Sequence, residues 1–163
     1  CWEIALKNKN TPSVIALSRQ KLSYINPMLS EKNICEKGAY VVKITSHNND
    51  VILVASGSEV ELALDVQKKL KENNIESKVV SMPCQELFDK QNDNFKKEIL
   101  DQNTLIVTIE AGNVSSWKKY SGEKGIALGL NKFGESAPYK KIYEHFDLTV
   151  EKIVNTIQNR LRS

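Results

Sequence analysis

The segment Asp50–Glu61, DVILVASGSEVE, constrains the fold more than any other stretch of this chain. Val51–Ala55 is apolar without alternation, the pattern of a strand covered on both faces inside a parallel sheet. Ser56-Gly57-Ser58 supplies the turn that follows, and Ser58 with Glu61 has the S-x-x-E spacing of a capping box at a helix start. A buried strand that passes directly into a helix is the elementary unit of an α/β domain.

Periodicity places the other elements around this unit. Trp2, Ile4, Ala5 and Leu6 give a short amphipathic helix that Asn8–Pro12 breaks, and Ser13–Leu17 reads as a short apolar strand. Lys21–Lys37 has no sustained period and holds Pro27. At about 17 residues it is longer than a loop inside a compact domain usually is, so it reads as a linker. Ala39–Ile44 is expected as a strand and His47–Asp50 as a turn; so short a connection predicts an antiparallel hairpin with Val51–Ala55. Ser58–Asn74 reads as a helix with Val60, Ala63, Leu64 and Leu70 on its apolar face and Leu62 and Val66 at the margin. Glu76–Met82, Thr104–Ile109 and Gly125–Leu130 read as strands, and Gln85–Asp89 and Asp93–Leu100 as short helices. Ser115–Tyr120 is expected as a helical turn, and Pro138–Phe146 and Thr149–Arg162 as the closing helices. The last carries Val150, Ile153, Val154, Ile157 and Leu161 on one face. This order predicts a three-layer αβα fold, with an open, mostly parallel five-stranded sheet whose first strand is the antiparallel one.

The bulk numbers narrow the function classes. Twenty-three Lys and Arg are interspersed with 20 Asp and Glu for a net charge of +3, which is a solvated surface and not the gathered basic face of a nucleic-acid binder. No apolar run approaches the roughly 20 residues of a membrane-spanning helix. The first ten residues, CWEIALKNKN, carry charges throughout, unlike a signal peptide. Cys1, Cys35 and Cys84 cannot all pair, no CxxC occurs, and His47 and His145 are too few for a zinc cluster. Isolated thiols in a reducing, cytoplasmic compartment are expected. The chain opens at Cys1, inside a helical pattern and without an initiator Met, and reads as a piece of a longer polypeptide.

Few residues announce chemistry. Arg19, in SRQ just past the Ser13–Leu17 strand, is of a type that can project into a crevice and grip a phosphate with its planar fork. Taken alone, a surface or structural salt bridge is the expected role and the phosphate the competing reading. The Ser56–Ser58 turn can hold an anion at a helix N-terminus. There, however, Glu59 and Glu61 already answer the helix dipole and repel a phosphate, so capping is the expected role. In the Lys132–Pro138 loop, Gly134 permits an unusual backbone angle, Ser136 can cap, and Pro138 suits the first helical turn. Glu110, at the end of a strand, is expected to hydrogen-bond local backbone. No GxSxG, HExxH or recognisable Cys–His spacing occurs, and His145 beside Asp147 reads as a surface pair. Taken alone, the residues describe an α/β domain without an evident active site.

Three segments add to that reading. Thr11–Gln20 (TPSVIALSRQ), Val51–Gln91 (VILVASGSEVELAL through KVVSMPCQELFDKQ) and Ile109–Pro138 (IEAGNVSSWKKYSGEKGIALGLNKFGESAP) resemble, in order and spacing, the C-terminal part of transketolase. The similarity runs over essentially all 163 residues. Related thiamine-diphosphate enzymes such as deoxyxylulose-phosphate synthase share the domain, while SRQ, GSEVELA, EAG and FGESAP together point to transketolase itself. The resemblance implies that residues 1–20 end the pyrimidine-binding domain, 21–37 are the linker and 38–163 form the C-terminal domain. It implies a homodimeric parent that moves a two-carbon ketol unit between sugar phosphates, using thiamine diphosphate and a divalent cation, Mg or Ca. Of the family's functional residues only the Arg of SRQ, here Arg19, carries over, as a sugar-phosphate ligand. The GDG motif, the activating glutamate and the catalytic histidines are missing. No catalytic residue, no bound cofactor and no ketol transfer are therefore expected of this chain by itself, and Trp2, Ile4 and Leu6 are expected to lack cover. A stand-alone interaction module, or the corresponding domain of another thiamine-diphosphate enzyme, is the alternative.

Overall fold

Residues 1–25 and 33–162 are described by the structure, a computed structural model. In chain order the elements are α1 (Trp2–Lys7), β1 (Tyr40–Ile44), β2 (Val51–Ala55), α2 (Glu59–Glu72), β3 (Ser77–Ser81), α3 (Gln85–Asp89), α4 (Asp93–Ile99) and β4 (Leu105–Asn113). A 3-10 turn at Val114–Ser116, α5 (Lys118–Ser121), β5 (Ile126–Leu130), α6 (Tyr139–His145) and α7 (Val150–Arg162) complete the chain. Ser13–Leu17, expected as a strand, joins no sheet among the described residues. It forms an arm with Val14 and Leu17 exposed, because an apolar run becomes a strand only where a sheet edge receives it. Pro27 and the middle of the expected linker lie outside the described residues.

The strands form one sheet in the order β1-β3-β2-β4-β5. The β2–β3, β2–β4 and β4–β5 pairs are parallel, and β1 alone is antiparallel. The expected hairpin is not there: β1 pairs with β3, from Tyr40↔Ser81 to Ile44↔Lys78, and β3 separates it from β2. Burial explains the choice. All five residues of β3 and of β2 are buried, whereas Val41, Lys43 and Ile44 of β1 are exposed. Pairing β1 with β2 would push one of the wholly buried strands to an edge. Crossing one extra strand means about 10 Å of lateral travel, and Thr45–Asp50 spans it easily.

Unalternating strands need cover on both faces, and the sheet receives it. Val51, Leu53 and Ala55 of β2, Val79 of β3 and Val107 and Ile109 of β4 meet Val60, Ala63, Val66 and Leu70 of α2 and Ile153, Val154 and Ile157 of α7. Ile52, Val54, Val80 and Ile106 meet Phe88, Ile99, Leu100, Trp117 and Tyr120 on the other face. The apolar stripe of α2 is turned slightly from the expected one, since Val66 is fully buried and Leu64 only partly. The rotation brings Gln67 inside, where its Nε2 donates to the Ser77 carbonyl at 2.9 Å. Asn74, in the left-handed region at φ 58, closes α2 as its sequence suggested. At the far end of α7, Leu161 is exposed instead of joining the buried face.

Candidate functional site

The chain leaves β2 for α2 on one face of the sheet and leaves β4 for α5 on the other. The diverging exits open a crevice beyond the carboxyl ends of these neighbouring strands, the place where open α/β sheets bind ligands. Gly57 takes a left-handed angle (φ +51) in the tight Ser56–Ser58 turn. Ser58 already has helical backbone angles and makes no side-chain cap, so the expected capping box does not form. Its hydroxyl instead donates to Glu59 Oε1 at 2.7 Å.

Glu59 is nearly inaccessible, at 4% exposure, and also accepts a hydrogen bond from the Tyr143 hydroxyl of α6. Glu110, from the end of β4, accepts from Ser56 Oγ at 2.8 Å, in place of the expected bond to local backbone. Burial pushes the Glu110 carboxyl above its ordinary range; the Ser56 hydrogen bond opposes the shift and the neighbouring Glu59 adds to it. The Tyr143 phenol is pushed up by burial first and then by its bond to Glu59. Tyr139 meets the Tyr143 ring edge-on, with centroids 5.8 Å apart. Sequence reading singled out Glu59 and Glu110 separately but missed Tyr143 and the grouping. The only local signal was that each glutamate closes a strand exit.

The remaining loop expectations fare unevenly. Gly134 does not use a left-handed angle, and Pro138 stands one residue ahead of α6 as its cap. His145 and Asp147 do not pair. His145 Nε2 lies 3.3 Å from Lys132 Nζ, and Asp147 faces Lys152 at 3.5 Å. Two further clusters escaped the sequence. Lys78 of β3 is buried and donates to the Glu98 carbonyl at 2.9 Å, and burial pulls its amine below the usual range. Lys119 and Tyr120 both reach Asp89, at 2.6 and 2.9 Å.

Arg19 belongs to the arm that closes the crevice. Ala16, Leu17, Ser18 and Gln20 form one wall of a cleft of about 370 Å³; Ser56–Glu59, Glu110, Ala111 and the α6 residues Tyr139, Ile142 and Tyr143 form the other. Arg19 itself is exposed beside the cleft and, among the described residues, makes no ion pair. The expected salt bridge therefore finds no partner there. No group of three or more His, Cys, Asp or Glu among the described residues is arranged to hold a metal ion. No helix among them is long and apolar enough to cross a membrane.

Residues 38–149 match the model of the transketolase-like TK C-terminal domain. The chain belongs to the transketolase family. Transketolase from Aquifex aeolicus is 40% identical over 158 residues, 96% of this chain and 23% of that protein. Transketolase from Leishmania mexicana superposes with a TM-score of 0.87 at 38% identity, covering 99% of this chain and 23% of that one. A Pichia stipitis transketolase solved with sedoheptulose 7-phosphate gives 0.72 at 34% identity, over 79% of this chain and 18% of its own. A split-gene transketolase described as an inactive β4 tetramer gives 0.67 at 26% identity, over 88% and 48%. This chain thus spans about a quarter of the length of the transketolases it resembles at full coverage.

Proposed function

We propose that this chain forms the C-terminal part of a transketolase that moves a two-carbon ketol unit between sugar phosphates, and that Arg19 grips the substrate phosphate. The observation that carries the reading is an exposed Arg19, without an ion pair among the described residues, on the arm between the cleft-lining Ser18 and Gln20. A guanidinium presents parallel N–H donors that match a phosphate bidentately, and a Lys in its place would lose that geometry. Held there, the phosphate fixes one end of the substrate while bonds change at the other. In this proposal residues 1–20 complete the pyrimidine-binding domain, 21–37 link it onward, and 38–163 form the C-terminal domain of a cytoplasmic homodimer. The exposed Trp2, Leu6, Val14 and Leu17 fit cover by the rest of the polypeptide and its partner.

Thiamine diphosphate, with Mg or Ca, would supply the electron sink for ketol transfer. The residues of this chain do not fit that group. The cleft lining itself carries Glu59 and Glu110 and no Lys or Arg to neutralise a diphosphate, Arg19 standing outside it, and among the described residues no cluster of metal-ion donors is found. The cofactor is assigned to the remainder of the polypeptide, and this chain by itself is expected to be inactive. The inactive assembly of the split-gene relative supports that expectation.

The test is Arg19→Ala in the longer polypeptide. Loss of a charge-assisted phosphate contact costs about 1.5–3 kcal/mol, roughly a tenfold to hundredfold rise in KM for phosphorylated donors. Unphosphorylated donors should be little affected. Equal effects on both classes would remove the phosphate assignment.

A further inference from the structure

Arg19 lies between a stretch of the arm that faces the β2–α2 turn across the cleft and a point where the arm is bonded to α2. On one side Ser18 lines the same cleft as the Gly57 turn. On the other, Ser23 Oγ donates to Glu61 Oε1 at 2.6 Å. Two residues later Ile25 packs against the apolar layer beneath α2 and α7. Glu61 sits in the first turn of α2, whose inner face is rooted in the sheet, so the anchor is rigid.

We infer that Ser23 and Glu61 are positioning residues that set the reach of Arg19. The inference rests on the phosphate reading above and deepens it. A bidentate grip is productive only when the guanidinium is held at the right distance from the reacting end of the substrate. A free arm would surrender backbone and side-chain freedom at each binding event, and an arm tethered four residues beyond Arg19 has already surrendered part of it. The C-terminal domain thereby contributes to substrate selection without touching substrate.

The experiment compares Ser23→Ala, Glu61→Ala and Arg19→Ala, singly and combined, in the full-length enzyme, with phosphorylated and unphosphorylated ketose donors. Removing the tether should raise KM for the phosphorylated donor by about 2–10-fold, leave kcat unchanged, and have no further effect in the Arg19→Ala background. Ser23→Thr, which keeps the hydroxyl, should restore the wild-type KM. In the 163-residue chain, trypsin should cut after Arg19 faster once Ser23 is replaced. The inference is overturned if Ser23→Ala leaves KM and cleavage unchanged, affects both donors equally, or still acts without Arg19. An unchanged KM for Arg19→Ala would instead overturn the phosphate reading and the clamp with it; a full Arg19→Ala effect beside a silent Ser23→Ala overturns the clamp alone.

Discussion

The bond from Tyr143 to Glu59 ties α6 to the start of α2 within one wall of the cleft, and Tyr143→Phe isolates it. The change deletes one oxygen and keeps the ring, so the edge-on packing against Tyr139 survives. What is lost is a donor to a carboxylate that is only 4% exposed and retains Ser58 Oγ as its other named partner on the same oxygen. A hydrogen bond to a charged group is worth about 1.5–3 kcal/mol, and water cannot easily replace it at this burial. For a chain of this size, each kcal/mol lowers Tm by about 2–4 °C; a loss near 2 kcal/mol is therefore a drop of about 4–8 °C. Urea unfolding and calorimetry of the 163-residue chain measure both quantities. Tyr139→Phe is the control, since Tyr139 is exposed and its change should stay within about 0.5 kcal/mol. In a Glu59→Gln background the Tyr143→Phe cost should fall to that of a neutral bond, about 0.5–1.5 kcal/mol. Identical stabilities for Tyr143→Phe and Tyr139→Phe would refute the argument.

Two further outcomes complete the predictions, beside those for Arg19 and for the Ser23–Glu61 tether. Burial and Asp89 hold the Tyr120 phenol at about 12, and burial and Glu59 raise Tyr143 as well. Folded pKa values above the unfolded phenol value of about 10 give stability that is complete below pH 10 and is lost as pH rises toward about 12. Phenolate absorbance and far-ultraviolet circular dichroism should therefore change together in that window, and ionisation of all five tyrosines without unfolding would contradict it. Gly38→Ala should cost on the order of 2–4 kcal/mol. Gly38 has φ +83, and a Cβ there would meet the backbone of Phe88 at 2.3 Å and of Cys84 at 2.4 Å. Gly134→Ala, with open space around it, should be close to neutral in the same denaturation assay.

How far the sequence could be read depends on the range of the interaction that decides each feature. The run Val51–Ala55 can only be satisfied by apolar cover on two faces, so the layered α/β fold was legible from five residues. The end of α2 at Asn73-Asn74 and the short helices after Pro83 were equally local. The hairpin was not, because a six-residue connection permits adjacency but does not demand it, and the wholly buried β3 claimed the inner position. The S-x-x-E spacing at Ser58 misled for a related reason: Ser58 is already helical and its hydroxyl goes to Glu59, while Glu61 accepts from the distant Ser23.

A one-dimensional pattern records how each residue is to be solvated, and on that footing the sequence alone determined the αβα layering and the parallel core of the sheet, while the family came from the resemblance of particular motifs. It does not record which distant groups meet. Tyr143 of α6 reaches Glu59 of α2 across 84 positions, and Ser56 reaches Glu110 across 54, the latter because the strand order brings β2 beside β4. The tertiary structure therefore decided the cleft, its paired carboxylates and the seat of the Arg19 arm, since hydrogen-bond partners are chosen by proximity after packing and leave no period in the chain.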